Sequence, residues 1–282
     1  VSATDTDRGA PAVPAVRGLL ALAAVLVFLA GVQLFVFPLD TETRFAWTIG
    51  SPMTAVFLGA SYWSAVGLEA SGALARDWAV ARVALPAVFV FTSLTLVVTL
   101  VHLENFHLSD DNPAATRAVT WAWLAVYAVV PVLMVVARVA QARTGTALPP
   151  AAGLPAVLRV TLATLAAVLL VVGAALLVAP EPVSAVWPWT LTPLTGRAVG
   201  AWCVGLGVAA AHAWMVDDPP SLRPVGVTGV VFGLLQGWAL LRYGDELDWG
   251  SGQSVGYLVV LVAIFGVGVG ILLVGRAGRT PG

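Results

Sequence analysis

Long apolar runs alternate with short polar breaks along the whole chain, and the runs are nearly equal in length. They cover about 18–37, 52–71, 83–101, 118–137, 157–179, 194–215, 224–242 and 255–275. Each is close to the ~20 residues that a helix needs to cross the hydrocarbon core of a bilayer. The pattern therefore predicts an all-α membrane protein of eight transmembrane helices. The first run ends Phe35-Val36-Phe37-Pro38, which lacks the small residues of a signal-peptide cleavage site, and it is read as a retained helix.

The polar breaks contain a repeat. Trp47-Thr48-Ile49-Gly50-Ser51-Pro52-Met53-Thr54 returns, one residue shorter, as Trp189-Thr190-Leu191-Thr192-Pro193-Leu194-Thr195. Pro38 and Pro180 match at an offset of 142; after the deletion Gly59 and Gly200, Arg82 and Arg223, and Phe91 and Phe232 match at 141. The chain then divides into a four-helix unit at 18–140, a linker at 141–156 and a second unit at 157–275, with a disordered tail expected at 1–17 and another tail at 276–282. An even helix number makes the two units parallel, related by a pseudo-two-fold along the membrane normal as in parallel-repeat transporters. Ser51-Pro52 and Thr192-Pro193 each read as an N-cap followed by proline at the first helical position. Pro86 and Pro131 should kink the third and fourth helices. Gly229, Gly233, Gly237, Gly266 and Gly270 should pack the last two helices inside the bundle.

Composition strengthens the membrane assignment, with 59% hydrophobic and 10% charged residues where a soluble domain has roughly a quarter charged. All 14 basic residues are arginine, and with abundant Ala, Val, Gly and Pro this points to a GC-rich bacterial genome. Arg8, Arg17, Arg76, Arg82, Arg138, Arg143, Arg159, Arg223, Arg276 and Arg279 fall on one side of the predicted topology; Arg44, Arg117, Arg197 and Arg242 fall on the other. Cytoplasmic loops are enriched in basic residues, so both termini are expected in the cytoplasm of a bacterium, beneath its plasma membrane. The single Cys203 excludes an internal disulfide and any cysteine metal cluster. No phosphate-binding glycine loop, Gly-x-Ser-x-Gly elbow or basic tract is present. The expected partner is the lipid bilayer, not nucleic acid; no cofactor is implied, and neither a protein partner nor an oligomeric state is specified.

Four groups of residues are candidates for chemistry. His102, Glu104 and His107 lie at the outer end of the third run. Their spacing is not that of His-Glu-x-x-His, since a separation of five puts the histidines about 140° apart on a helix. They converge on a metal only if the helix ends between them; otherwise they cap it. In the second unit Tyr243 and Asp248 take the histidine positions. No pair of histidines at one depth suits haem. Glu69 and His212 are intramembrane ionisable residues at similar depth on repeat-related helices, either a proton-linked pair or polar ends that snorkel. Gln33, Gln236 and Thr95, the repeat counterpart of Gln236, can line a polar path or bond helices together. Finally, Trp47 and Trp189 are expected at the outer headgroup level, where with Thr54 and Thr195 they flank two helix N-termini able to hold an anion or lipid phosphate. Three functions follow: a transporter or channel for a small solute or lipid-related compound; a non-catalytic scaffold; or, less favoured, a metal-binding protein or enzyme at His102.

Overall fold

The computed structural model describes residues 9–148 and 151–277. Arg8, Arg279 and part of each tail lie outside the described residues, as does Pro149-Pro150 of the linker. The chain is all-helical. Seven stretches are helical, apolar and long enough to cross a membrane: Pro14–Val36, Trp78–Val101, Ala114–Thr144, Ala156–Val178, Pro193–Val216, Arg223–Glu246 and Gly252–Arg276. The remaining predicted run is also a long helix, Pro52–Leu74, but its Ser61, Tyr62, Ser64, Glu69 and Ser71 make it more polar than the rest.

The helices are α1 (Pro14–Gly31), α2 (Thr41–Arg44), α3 (Pro52–Leu74), α4 (Trp78–Ala81), α5 (Leu85–Val101), α6 (Ala114–Thr144), α7 (Ala156–Val178), α8 (Pro180–Ser184), α9 (Pro193–Val216), α10 (Arg223–Tyr243) and α11 (Gly252–Ala277). A π-helical turn, Val32–Val36, prolongs α1 and stops before Pro38, which disfavours helix in the residue ahead of it. Ser51 caps α3 by accepting from Thr54 N. Thr192 and Thr195 form a reciprocal capping box on α9. The duplicated stretch thus starts a helix in both copies, as its Ser-Pro and Thr-Pro steps predict.

Helix α3 packs on α1 and α10, and α9 packs on α7 and α5; α6 lies against α5, and α11 against α10. These two inner helices are the core. Every residue from Met53 to Tyr62 is buried. Close approach depends on glycine: a Cβ on Gly173 would lie 2.8 Å from Gly200 O and from Val204 N, and one on Gly59 2.5 Å from Phe35 N. Gly31 faces Trp63 on α3, and Gly173 faces Val204 on α9.

Several expectations are corrected. α10 and α11 are not interior; α11 is the least buried of the apolar helices, and Gly237 and Gly266 face open space, while Gly226, Gly229 and Gly268 make the close contact. Pro86 kinks nothing, because it stands in the first turn of α5 after the break that separates α4. Pro131 lies inside α6, as expected for a proline of the fourth predicted helix. Gln141 is no linker residue: it is buried in α6, its amide donates to Pro11 O and Gly145 O, and its oxygen accepts from Val13 N. The segment before α1 is held at this point, and α1 starts at Pro14, earlier than expected. Trp47 and Trp189 are not headgroup anchors but core residues, each 3% exposed. Trp47 is packed among Phe45, Phe106 and Trp123, and Trp189 Nε1 donates to Thr54 Oγ1 over 2.9 Å.

Candidate functional site

The helix pairings leave two cavities between the long helices. The first, of about 320 Å³, lies between α1, α3, α5 and α6 and is closed behind by α9. α1 and α6 meet where Gln141 holds the Pro11–Val13 segment. Beyond that point they leave a side opening, at which the lining residues Leu29 and Ala122 are exposed. The lining is mainly apolar and aromatic, with Phe91, Trp123 and Trp202 beside Tyr62 and Tyr127. Gln33 contributes from the π-helical turn, an irregularity that recurs at functional sites.

Glu69 is the one charged residue of that lining. It is 2% exposed, and its Oε2 has no hydrogen-bond partner. Tyr62 lies on the same face of α3, about 10 Å along the axis at 1.5 Å per residue. Its hydroxyl and that of Tyr127 are 2.7 Å apart and satisfy each other. Thr228 Oγ1, also on the lining, is unpartnered.

The second cavity, of about 430 Å³, is bounded by α7, α9, α10 and α11. Its α7 lining of Val168, Leu169, Val171, Val172 and Ala175 repeats the register of Leu26, Val27, Leu29, Ala30 and Gln33 on α1. On α11, Tyr257 and Leu261 stand where α6 presents Trp123 and Tyr127. The polar content differs: the counterparts of Gln33, Tyr62 and Tyr127 are Ala175, Cys203 and Leu261, and no charged residue lines this cavity. The position related to Glu69 by the repeat is Ala210.

The other predicted residues divide. Gln236 is fully buried and joins three helices, its amide donating to Phe57 O at 3.0 Å and its oxygen accepting from Tyr257 OH at 3.1 Å. Thr95 borders only a void of about 10 Å³. His212 is not bonded to Glu69; its Nε2, like Glu69 Oε2, is without a partner. So Gln33 and Glu69 are brought to one cavity, while Gln236, Thr95 and His212 are elsewhere.

α5 does end at Val101, with His102 as its C-cap, yet the two histidines diverge. His102 Nε2 accepts from Arg197 Nη1 at 2.7 Å, and Glu104 is 3.9 Å from its Nδ1. Burial, and then the Arg197 cation, hold the His102 imidazole below its usual pKa. His107 spans Phe45 O and Thr48 Oγ1, each at 3.0 Å. Among the described residues no group of three or more His, Cys, Asp or Glu side chains is placed to hold a metal ion.

At the same end, a shallow depression of about 550 Å³ joins Ser51, Thr192, Thr195 and Tyr243 to Asp245 and Glu246. The α3 N-terminus is already met by an anion of the chain itself. Glu246 accepts from Met53 N at 2.8 Å and from Ser51 Oγ at 2.6 Å. Thr54 accepts from Trp189, and Thr195 is held in its capping box. An added anion would meet two carboxylates there, which oppose it by like charge.

Sequence reasoning missed Tyr62 and Tyr127. A signal was present, since tyrosine favours the membrane interface and both stand well inside long apolar stretches. Comparison with known proteins returns no matching family model, no characterised relative and no similar solved structure.

Proposed function

We propose that the chain is a bacterial plasma-membrane protein of eight spanning helices, in two parallel four-helix units with both termini cytoplasmic, that binds and carries a lipid-soluble small molecule through the cavity of the first unit. The repeat is supported by the matched pairings of α1 with α3 and α7 with α9, and of α3 with α10 and α9 with α5. The equivalent contacts of Gly31 and Gly173 support it too. Orientation rests on the arginine excess at the end where Gln141 lies.

The observation that carries the function is the side-opening cavity with a single unpartnered carboxyl. An opening between two apolar helices suits a molecule arriving from the bilayer, and the scarcity of charge suits one that is largely apolar. A water-filled channel would need a polar path between the halves, and Gln236 and Thr95 do not supply one. A purely structural subunit would have no use for a buried carboxyl without a partner, which is costly to maintain.

Native mass spectrometry of the protein released from nanodiscs tests the reading. Wild-type protein should retain a small apolar species, and Ala122→Trp, a change at the exposed mouth, should lose it while melting as wild type does. Retention of the same species by Ala122→Trp would count against the cavity as its site.

A further inference from the structure

We infer that the first cavity is a site for a lipophilic organic cation, its charge set against the Glu69 carboxylate and its apolar body against the aromatic lining; this rests on the lateral-cavity reading above. The second unit supplies an internal comparison. Its helices pair as those of the first do, yet it places Cys203, Leu261 and Ala175 where the first has Tyr62, Tyr127 and Gln33, and Ala210 at the position of Glu69. The four-helix unit therefore folds without these polar groups. Burying an unpaired carboxyl costs free energy, so its presence in one unit alone is not accounted for by folding.

The charge of the ligand follows from what surrounds Glu69. No arginine or histidine lines the cavity, and Oε2 has no partner. A carboxyl so placed either holds a proton or, when ionised, takes a counter-charge from outside the chain; a cation selects the ionised form. An anionic ligand would be repelled by Glu69 and by the negative ring faces. A neutral ligand would find the Tyr62 and Tyr127 hydroxyls already spent on each other at 2.7 Å; Gln33 and the unpartnered Thr228 Oγ1 remain to it, but it brings no counter-charge to Glu69. A cation gains from the carboxylate, while its apolar body packs against Trp123, Trp202, Phe91 and the two tyrosines. A volume of about 320 Å³ lies within the range of small-ligand pockets.

The test uses two ions of nearly equal size and opposite charge, tetraphenylphosphonium and tetraphenylborate. Their binding to the protein in nanodiscs is measured by equilibrium dialysis against empty nanodiscs. Wild-type protein should bind one phosphonium per chain and no borate. Glu69→Gln, which keeps the side-chain shape, should weaken phosphonium binding by at least about 30-fold, the low end for removing one partner of a buried charge pair, with a melting temperature no lower than that of wild type. Glu69→Asp should recover part of the affinity. The inference is overturned if wild type binds no phosphonium, if borate binds as well, or if Glu69→Gln binds as wild type does. Ala122→Trp separates the two levels: loss of phosphonium binding there but not in Glu69→Gln would leave the lateral cavity standing and remove the cation. Binding unaffected by either substitution would remove both.

Discussion

Among the side chains, His102 gives the clearest response to solution conditions. It sits just past the end of α5, buried, with Nε2 accepting from Arg197. Burial and the neighbouring guanidinium both hold its pKa below the ordinary 6.5, so the unfolded chain takes up a proton before the folded chain does. The contribution of this site to stability is therefore fully present above about pH 6.5 and declines as the pH falls below that value. Thermal unfolding measured from pH 7.5 down to 5 should fall more steeply in wild type than in His102→Gln, which can still accept from Arg197 but does not titrate. The identity of such residues was legible in the sequence; their partners were not. Arg197 is 95 positions from His102, and Trp189 is 135 from Thr54. Nothing in local spacing marks Glu69 as unpaired and Gln236 as doubly bonded, because both are lone polar residues in apolar runs.

At the level of the helix, the sequence was most informative about ends. The Ser51-Pro52 and Thr192-Pro193 starts follow from local chemistry that needs no tertiary partner. Which face turns inward was much less legible, since lipid-facing and core-facing positions of a membrane helix are both apolar and the usual amphipathic stripe is weak. That is why α10 and α11 were read as interior and their glycines as equivalent. The glycines in fact separate by what lies opposite each. A Cβ on Gly268 would come within 2.8 Å of Gly226 O and of Val230 N, both backbone atoms that cannot swing aside, whereas one on Gly266 meets nothing within 4 Å. Gly268→Ala should destabilise the protein by about 1–3 kcal/mol through forced separation of α10 and α11. Gly266→Ala, with nothing opposite its Cβ, should leave stability unchanged or raise it by up to about 1 kcal/mol, since alanine favours the helix. Equilibrium unfolding in mixed micelles distinguishes the two, and equal effects would contradict the packing described.

Across the whole molecule, helices from the first and last parts of the chain are interlocked rather than juxtaposed. α3 packs on α10, and α9 packs on α5. The repeated motif predicts which helices correspond; the crossing over is not legible from it, because a repeat says nothing about which elements touch. Cutting the chain between Gly145 and Pro155, outside α6 and α7, should yield halves that copurify from membranes when co-expressed through a tag on one of them. Each expressed alone should be degraded. Two halves that accumulate independently and fail to associate would overturn the crossed pairing.

The carboxylate that closes the start of α3 places an order on synthesis. Ser51 and Met53 leave the ribosome long before Glu246, 195 and 193 positions later. Throughout translation of the intervening helices, the Met53 amide and the Ser51 hydroxyl must be served by water or headgroups, while Ser51 alone caps the Thr54 amide. A nascent chain is therefore completed at its beginning by one of its last elements, and a ribosome that stops short of Glu246 releases a first unit whose central helix has an unfinished end.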